Sequence, residues 1–436
     1  MLIQTINYLR DPHLVAHIQE FFGIDVREYE RLHLKETRKK SDCIKQQNGC
    51  GSVELHESEL NGYVSKNVLH RHSKIRNLSE PGENSSSTND VDTSSSDIKE
   101  LKPLVRNYFW YYLFLFSTEL GDEIFYTTFI PFVFWNIDAV VGRKVVLVWS
   151  IIMTIGQILK DIICWPRPEC PPAVRLQKKW SEEYGMPSTH ACISVAIPFS
   201  MLIFTTSRYN CPIAFGITIV LIWCSLICIS RLYLGMHTVL DVIAGLLLAI
   251  ILMIPLVPLA NILDYYLTNN FWALFILICT SITLIVYYPC SDRWTSTRSD
   301  TTMVVSVVSG INFGTWLNNK TGLMLRPLSL PPYDITWPTL AMFLHMILRT
   351  VIGFCCMIPN KYIYKYFIYK IMCAILGIDA TELKKSENSL ENKNKTLVDL
   401  LYKFIFSFMF GIYAIYFLPR LFYVIGLERP AFYTEV

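Results

Sequence analysis

From residue 106 onward, apolar runs of roughly bilayer length follow one another with only short polar breaks. A backbone inside hydrocarbon must satisfy its own N–H and C=O groups, and a helix of about 20 apolar residues does so while crossing a core of about 30 Å. The succession therefore points to an all-α polytopic membrane protein. Spans are expected near 145–163, 191–207, 212–229, 237–259, 271–289, 302–318, 337–358 and 399–425. Residues 107–137 are apolar at both ends but broken by Thr118-Glu119-Leu120-Gly121-Asp122-Glu123, and read either as two short spans or as an interfacial helix followed by one span. Residues 361–377 are short and carry Lys365 and Lys370, so an interfacial position is expected. Over its 436 residues the chain is 52 % hydrophobic and 14 % aromatic, too apolar for a soluble globular protein of this length.

The first 105 residues form a hydrophilic arm ahead of a membrane core at 106–259 and a further C-terminal transmembrane region at 260–436. Charge follows Met1-Leu2-Ile3-Gln4-Thr5-Ile6 too soon for a cleavable signal peptide, so internal segments are expected to drive insertion. A short amphipathic helix is expected from Asp11-Pro12, with Leu14, Val15, Ile18, Phe21 and Phe22 on one side. Residues 34–99, rich in Lys, Ser, Asn and Glu, bury too little apolar area to fold alone and read as disordered. Six of the nine histidines lie in this arm, with no carboxylate or cysteine pattern around them, and read as solvated. A net charge of +3 and the absence of a basic stripe with interleaved aromatics exclude nucleic acid as an expected partner. Cysteines inside the apolar runs read as small buried hydrophobes. Cys164 and Cys170 flank Trp165-Pro166-Arg167-Pro168 and either pair or stay free. No C-x-x-C pair finds a matching His or Cys pair, so no zinc or other metal site is expected. Asn77, Asn84 and Asn394 fit the glycosylation pattern.

Three polar clusters stand at or near the ends of the apolar segments. They are Lys160 with Arg167-Pro168, then Pro187-Ser188-Thr189-His190, then Ser230-Arg231 with His237 and Asp241. His237 and Asp241 are four residues apart, which on a helix sets them one turn apart on one face. A carboxylate there accepts a proton from one imidazole nitrogen and leaves the other free as a nucleophile. Asp241 begins the apolar run from Val242 to Ile254, where an unpartnered charge costs about 2.5–3.5 kcal/mol. His237 is the nearest partner, although such a pair on its own also suits a structural contact at the interface.

Arg231 stands just before the same helix, and Lys160 and Arg167 are expected to end the helix at 145–163. Guanidinium groups bind phosphate oxygens by paired hydrogen bonds, and lysine acts as a movable point charge. Three cations suit a dianionic phosphate monoester and the charge that develops during phosphoryl transfer. Singly, Lys160 would read as a snorkelling lysine and Arg231 as an interfacial anchor. Pro187 is expected to open the helix through Ala191 to Phe199, leaving the backbone N–H groups of Ser188, Thr189 and His190 to meet an anion beside the Ser188 hydroxyl. His190 suits a general acid that protonates a leaving alkoxide and later draws a proton from water.

These clusters resemble, residue for residue, the three-part signature of the type-2 phosphatidate phosphatase superfamily, which includes the vanadium haloperoxidases. The resemblance implies a helical bundle of that kind, here with extra C-terminal transmembrane helices, and a mechanism without metal or other cofactor. His237 would attack phosphorus to give a phosphohistidine, Asp241 would orient it, and His190 would serve as acid and then base. Lys160, Arg167, Ser188, the Thr189 N–H and Arg231 would cradle the phosphate. Threonine at 189 departs from the superfamily's common glycine.

A closer resemblance covers most of residues 107–430. Thr118-Glu-Leu-Gly-Asp-Glu-Ile-Phe-Tyr, Phe134-Trp-Asn-Ile-Asp, Gly142-Arg-Lys, Trp165-Pro-Arg-Pro, Tyr184-Gly-Met-Pro-Ser-Thr-His-Ala and Gly235-Met-His are similar to the sphingosine 1-phosphate phosphatases, among which threonine is usual at 189. Tyr8-Leu-Arg-Asp-Pro-His-Leu-Val-Ala extends the likeness into the arm. It implies a membrane lipid substrate, the endoplasmic-reticulum membrane and a lumenal active site. Arg143-Lys144 and Arg208 agree, falling in two expected loops opposite the clusters, although a third expected loop on that face, 260–270, has no Lys or Arg. Asp292, Arg293, Arg298 and Asp300, in the polar stretch 291–300, are candidates to meet a sphingoid head group, or else are solvated loop charges. Glu119, Asp122 and Glu123 raise the same possibility. Two other readings compete: a phosphatase of broad specificity for lysophosphatidate and phosphatidate, and a catalytically silent scaffold. The intact His190, His237 and Asp241 argue against the second.

Overall fold

The computed structural model describes residues 2–35 and 104–435, apart from Lys178, Cys290, Asp292, 325–330, Thr336, Glu387 and Pro430. Most of the stretch expected to be disordered, with Asn77 and Asn84, lies outside the described residues. The chain divides into two units, Ile24–Arg106 and the remainder. In the first, a helix over 26–35 is described, together with an antiparallel bridge from Ile24 to Val105 and an ion pair of Arg106 with Asp25.

The second unit is helical. In chain order it contains α1 (Leu2–Arg10), α2 (Pro12–Phe21), α3 (Tyr108–Glu119), α4 (Glu123–Asn136), α5 (Ala139–Ile163), α6 (Thr189–Thr206), α7 (Ile213–Tyr233), α8 (Val239–Asn269), α9 (Phe271–Val286), α10 (Thr297–Lys320), α11 (Leu340–Leu376), α12 (Lys393–Ile412) and α13 (Leu418–Val424). A π-helical turn, Tyr413–Phe417, joins the last two into one rod. Short polar side chains start these helices: Asp138 Oδ1 accepts from Val140 and Val141 N–H at the head of α5, and Thr339 caps α11.

Among the described residues six helices are long and apolar enough to cross a bilayer: α5, α6, α7, α8, α11 and the α12–α13 rod. The 107–137 region resolves into two helices of 12 and 14 residues, about 18 and 21 Å long at 1.5 Å per residue. The expected loop at 260–270 is helical instead, because α8 runs on to Asn269. Residues 361–376 continue α11, which runs through Pro359 for 37 residues, about 56 Å. The span expected at 271–289 is a helix of 16 residues.

The 302–318 segment is helical but not a plain apolar span. Thr301, Thr302, Ser306, Ser309, Asn312, Thr315 and Asn318 of α10 are all buried. The hydroxyls of Thr302, Ser306, Ser309 and Thr315 and the Asn312 amide turn back on the helix itself, as Ser309 Oγ does on Val305 O at 2.8 Å and Asn312 Nδ2 on Val308 O at 2.8 Å, whereas Asn318 Nδ2 donates to Ile415 O at 2.9 Å. Small residues then allow close helix crossings. At Gly310 an added Cβ would lie 2.0 Å from the Phe408 carbonyl of α12, so only glycine permits that approach.

Arg143 and Lys144 lie inside α5 rather than in a loop. Arg143 is buried and forks onto Asp264 of α8, with Nε–Oδ1 2.9 Å and Nη2–Oδ2 3.2 Å, while Arg208 pairs with Asp138 at 2.9 Å. Buried charges in such a bundle require partners, and these pairs tie the ends of α5, α6 and α8 that lie farthest from the polar clusters.

The N-terminal helices pack with the bundle. On α2 the buried side chains are Val15, Ala16 and Gln19, whereas Phe21, expected on the apolar side, is 83 % exposed. Gln19 is the anchor. Its Nε2 donates to Val174 O at 2.6 Å and Tyr233 O at 2.8 Å, and its Oε1 accepts from Val174 N–H at 2.8 Å. Gly235 turns beside it at φ +66°, where a Cβ would meet the Val174 carbonyl at 2.2 Å. Gln19→Leu is expected to strand these three backbone groups at a cost of about 2–4 kcal/mol. A clear fall in the thermal unfolding midpoint of detergent-solubilised protein is the expected observation, and an unchanged midpoint would contradict it.

Candidate active site

Helices α5 to α8 alternate in direction, so the end of α5, the start of α6, the end of α7 and the start of α8 meet at one end of the bundle. Lys160, His190, Arg231 and Asp241 sit in those four terminal turns. Arg167 does not end α5 as expected but stands in the loop after it. Around these residues lies a cavity of about 380 Å³ to which all three clusters contribute, through Lys160, Arg167, Thr189, His190, Arg231 and His237.

The cations differ in how they are satisfied. Lys160 Nζ pairs with Glu183 Oε2 at 2.7 Å and donates to Thr189 Oγ1 at 3.2 Å. Arg167 donates only to neutral acceptors, from Nε to Glu183 O at 2.8 Å and from Nη1 to Met236 O at 2.7 Å. Arg231 Nη1 likewise reaches Thr118 Oγ1 at 2.6 Å and Gln177 Oε1 at 3.2 Å, and its buried Nε has no partner among the described residues. Two guanidinium groups that are 9 % and 1 % exposed therefore lack a carboxylate among the described residues. Burial drives the Arg167 pKa down to about 10, because desolvation penalises the charged form.

His237 is not on the helix that carries Asp241. Thr238 is the N-cap of α8, and Asp241 closes a capping box: its Oδ2 accepts from Thr238 N–H at 2.8 Å and its own N–H donates to Thr238 Oγ1 at 3.2 Å. His237 Nδ1 is consequently 3.8 Å from Asp241 Oδ2, and both Nδ1 and Asp241 Oδ1 are buried without a hydrogen bond among the described residues. The facing nitrogen, Nε2, lies 3.5 Å from Arg167 Nη1. Ahead of the membrane-crossing α8, burial and then the charges of Arg167, Arg231 and Lys160 hold His237 well below the ordinary imidazole range. Its neutral form, which carries a lone pair, is thereby favoured.

Ser188, rather than Pro187, is the residue directly before α6 and serves as its N-cap. Its Oγ accepts from Ala191 N–H at 3.4 Å, and its own N–H is taken by Asp241 O at 3.1 Å, so that amide is not free for an anion as expected. The N–H groups of Thr189 and His190, in the first turn, have no intrahelical acceptor. The His190 ring lines the cavity and has no hydrogen bond among the described residues.

Of the outer candidates, Asp300 lines the cavity. Arg298 instead caps α9, donating to Ile285 O at 3.1 and 2.9 Å, and Arg293 lies over the Tyr184 ring at 4.1 Å. Asp292 falls outside the described residues. Glu123 lines the cavity, Asp122 pairs with Lys179 at 2.8 Å, and Glu119 is exposed. Cys164 and Cys170 are free thiols. Among the described residues no three His, Cys, Asp or Glu side chains converge in the manner of metal ligands.

Sequence reasoning missed Glu183. It holds Lys160, its carbonyl holds Arg167, and its Oε1 accepts from Ser296 at 2.6 Å. Lys160 and Ser296 keep this carboxylate below its usual range although burial opposes them. An acid four residues ahead of Pro187, inside a segment crowded with phosphate-type cations, was the available signal.

Residues 143–263, which carry all three clusters, match the PAP2 superfamily. Sphingosine-1-phosphate phosphatase 2 of Mus musculus is 37 % identical over 326 residues, covering 74 % of this chain and 90 % of that one. The chain belongs to the sphingosine-1-phosphate phosphatase family. Sphingosine-1-phosphate phosphatase 1 of Rattus norvegicus is 36 % identical over 324 residues, or 73 % of each chain, and lipid phosphate phosphatase delta of Arabidopsis thaliana is 28 % identical over 204 residues, or 44 % of this chain and 48 % of that one. No solved structure matches. This member of the family is a multi-pass membrane lipid phosphate phosphatase, with its cationic cavity at one end of the bundle.

Proposed function

We propose that the chain hydrolyses sphingosine 1-phosphate to sphingosine and phosphate through a phosphohistidine on His237. The observation that carries the chemistry is the pair of buried guanidinium groups, Arg167 and Arg231, hydrogen-bonded to neutral acceptors only. A phosphate dianion supplies the missing counter-charge, and Lys160 with the Thr189 and His190 N–H groups completes the cradle. Ser188 contributes by capping α6 and so presenting those amides.

In the first step the Nε2 lone pair forms a bond to phosphorus while the bond to the lipid oxygen breaks, and His190 delivers a proton to that oxygen. Asp241, 3.8 Å from Nδ1, stabilises the cationic imidazole that results. In the second step His190 takes a proton from water, whose oxygen attacks phosphorus and releases His237 and inorganic phosphate. Residues 106–259 supply every group in this scheme. Fixed cations carry the electrostatic load that a divalent ion carries elsewhere, so turnover is expected to survive EDTA and to be blocked by vanadate. Complete loss on chelation refutes the scheme.

The substrate assignment draws on the likeness to sphingosine-1-phosphate phosphatases at 36–37 % identity. Rates of detergent-purified protein on a panel of lipid phosphates test it: equal rates on sphingosine 1-phosphate, lysophosphatidate and phosphatidate would overturn the sphingoid reading. The proposed setting is the endoplasmic-reticulum membrane with the site toward the lumen, the face opposite Arg143, Lys144 and Arg208. Glycosylation of engineered acceptor sites in the 164–188 loop tests that orientation, and a loop that stays unmodified contradicts it.

A further inference from the structure

Two carboxylates at the phosphate cavity do no work for the phosphate. Of the acids that line it, Asp122 and Glu183 hold Lys179 and Lys160, whereas Glu123 and Asp300 hold no cation among the described residues. Asp300 is only 6 % exposed. Its Oδ2 lies 3.0 Å from Ser296 Oγ, whose one hydrogen is shared with Glu183 Oε1 at 2.6 Å, and its other oxygen accepts no hydrogen bond among the described residues. Carboxyl groups that hold no cation, once ionised beside a site for a dianion, weaken its binding, unless the ligand brings a positive charge of its own to the same place.

The position of these two acids says where that charge would be. Glu123, Tyr126 and Asp300 line the phosphate cavity and also a second, larger cleft of about 760 Å³. Beyond those three residues the cleft is mostly apolar, walled by Ile130 and Phe134 of α4, Val304 and Val307 of α10, and Phe410 of α12. The two spaces thus meet at an acidic neck. In order along the path come cations, carboxylates and hydrocarbon.

We infer that the neck formed by Glu123 and Asp300 binds the ammonium group of a lipid phosphate whose chain lies in the cleft between α4, α10 and α12. The inference rests on the phosphatase reading above and assigns its substrate selectivity to two residues outside the three clusters. A sphingoid base phosphate carries phosphate, primary amine and single chain in the order of the path. Glycerol-based phosphates have no amine to offset the two carboxylates, and the neck acts against them.

The test uses full-length protein in detergent micelles, with sphingosine 1-phosphate and lysophosphatidate as substrates, and compares wild type with Asp300→Asn and Glu123→Gln. Each variant is expected to raise KM for sphingosine 1-phosphate about tenfold or more, with kcat nearly unchanged. Turnover of lysophosphatidate is expected to hold or rise, which also reports that the variant is folded. A parallel loss on both substrates, or an unchanged ratio of their kcat/KM values, overturns the neck. The parent reading fails separately: wild type that shows no preference for the sphingoid substrate refutes the substrate assignment, whereas a selective wild type with equally selective variants refutes only the role of Glu123 and Asp300.

Discussion

His237→Ala is expected to lower kcat on the order of 10⁴-fold or more and to leave no phosphorylated protein. The imidazole of His237 lines the cationic cavity, with Nε2 3.5 Å from Arg167 Nη1. Removing it leaves the cradle intact, because Arg167, Arg231 and Lys160 keep the partners they have without it. Substrate or inorganic phosphate should therefore still bind. Rapid quenching of protein with substrate labelled in the phosphate is the measurement: wild type yields an acid-labile, base-stable phosphoenzyme and the variant yields none. A variant that retains turnover would move the nucleophile elsewhere.

His190→Ala has the second largest expected effect, about 10²–10⁴-fold in turnover, with a different signature. On a lipid substrate both steps slow, since the leaving alkoxide needs a proton and water needs a base. With p-nitrophenyl phosphate the leaving group departs unaided, so the first step survives and the second does not. A burst of close to one equivalent of p-nitrophenol is expected, followed by a slow steady state and accumulation of phosphoenzyme. A uniform loss with no burst would make His190 a structural residue.

The chemistry of the site was legible in the chain because it depends on residue types that are costly in a membrane. His237, Asp241, Arg231 and Lys160 stand out against apolar neighbours, and their order along the sequence suffices to suggest a phosphate site. Their relations to one another were less legible. Four-residue spacing suggested that His237 and Asp241 share a helix face, but Thr238 captures Asp241 in a capping box and leaves His237 ahead of the helix. That competition between a local cap and a catalytic contact turns on backbone conformation, which spacing alone does not specify. The partners of the cations were hidden for another reason. Gln177 and Glu183 come from the loop after α5, and Thr118 from α3, brought in over long sequence separations.

Hydropathy failed where burial came from protein instead of lipid. The α10 helix is rich in Ser, Thr and Asn, yet most of it is enclosed by α5, α8, α9 and α12, with the hydroxyls of Thr302, Ser306, Ser309 and Thr315 satisfied by its own carbonyls. The same effect hid Gln19, a polar residue at the centre of a buried helix face. By itself, then, the sequence determined that this is a helical membrane protein with a phosphate-handling set of residues, since bilayer-length apolar runs and isolated charges have few other solutions. Only the tertiary structure decided which cations lack a counter-charge, and that Glu123 and Asp300 stand where the phosphate cavity opens into an apolar cleft. Both depend on which distant side chains pack together, and packing is set by the whole bundle rather than by any one segment.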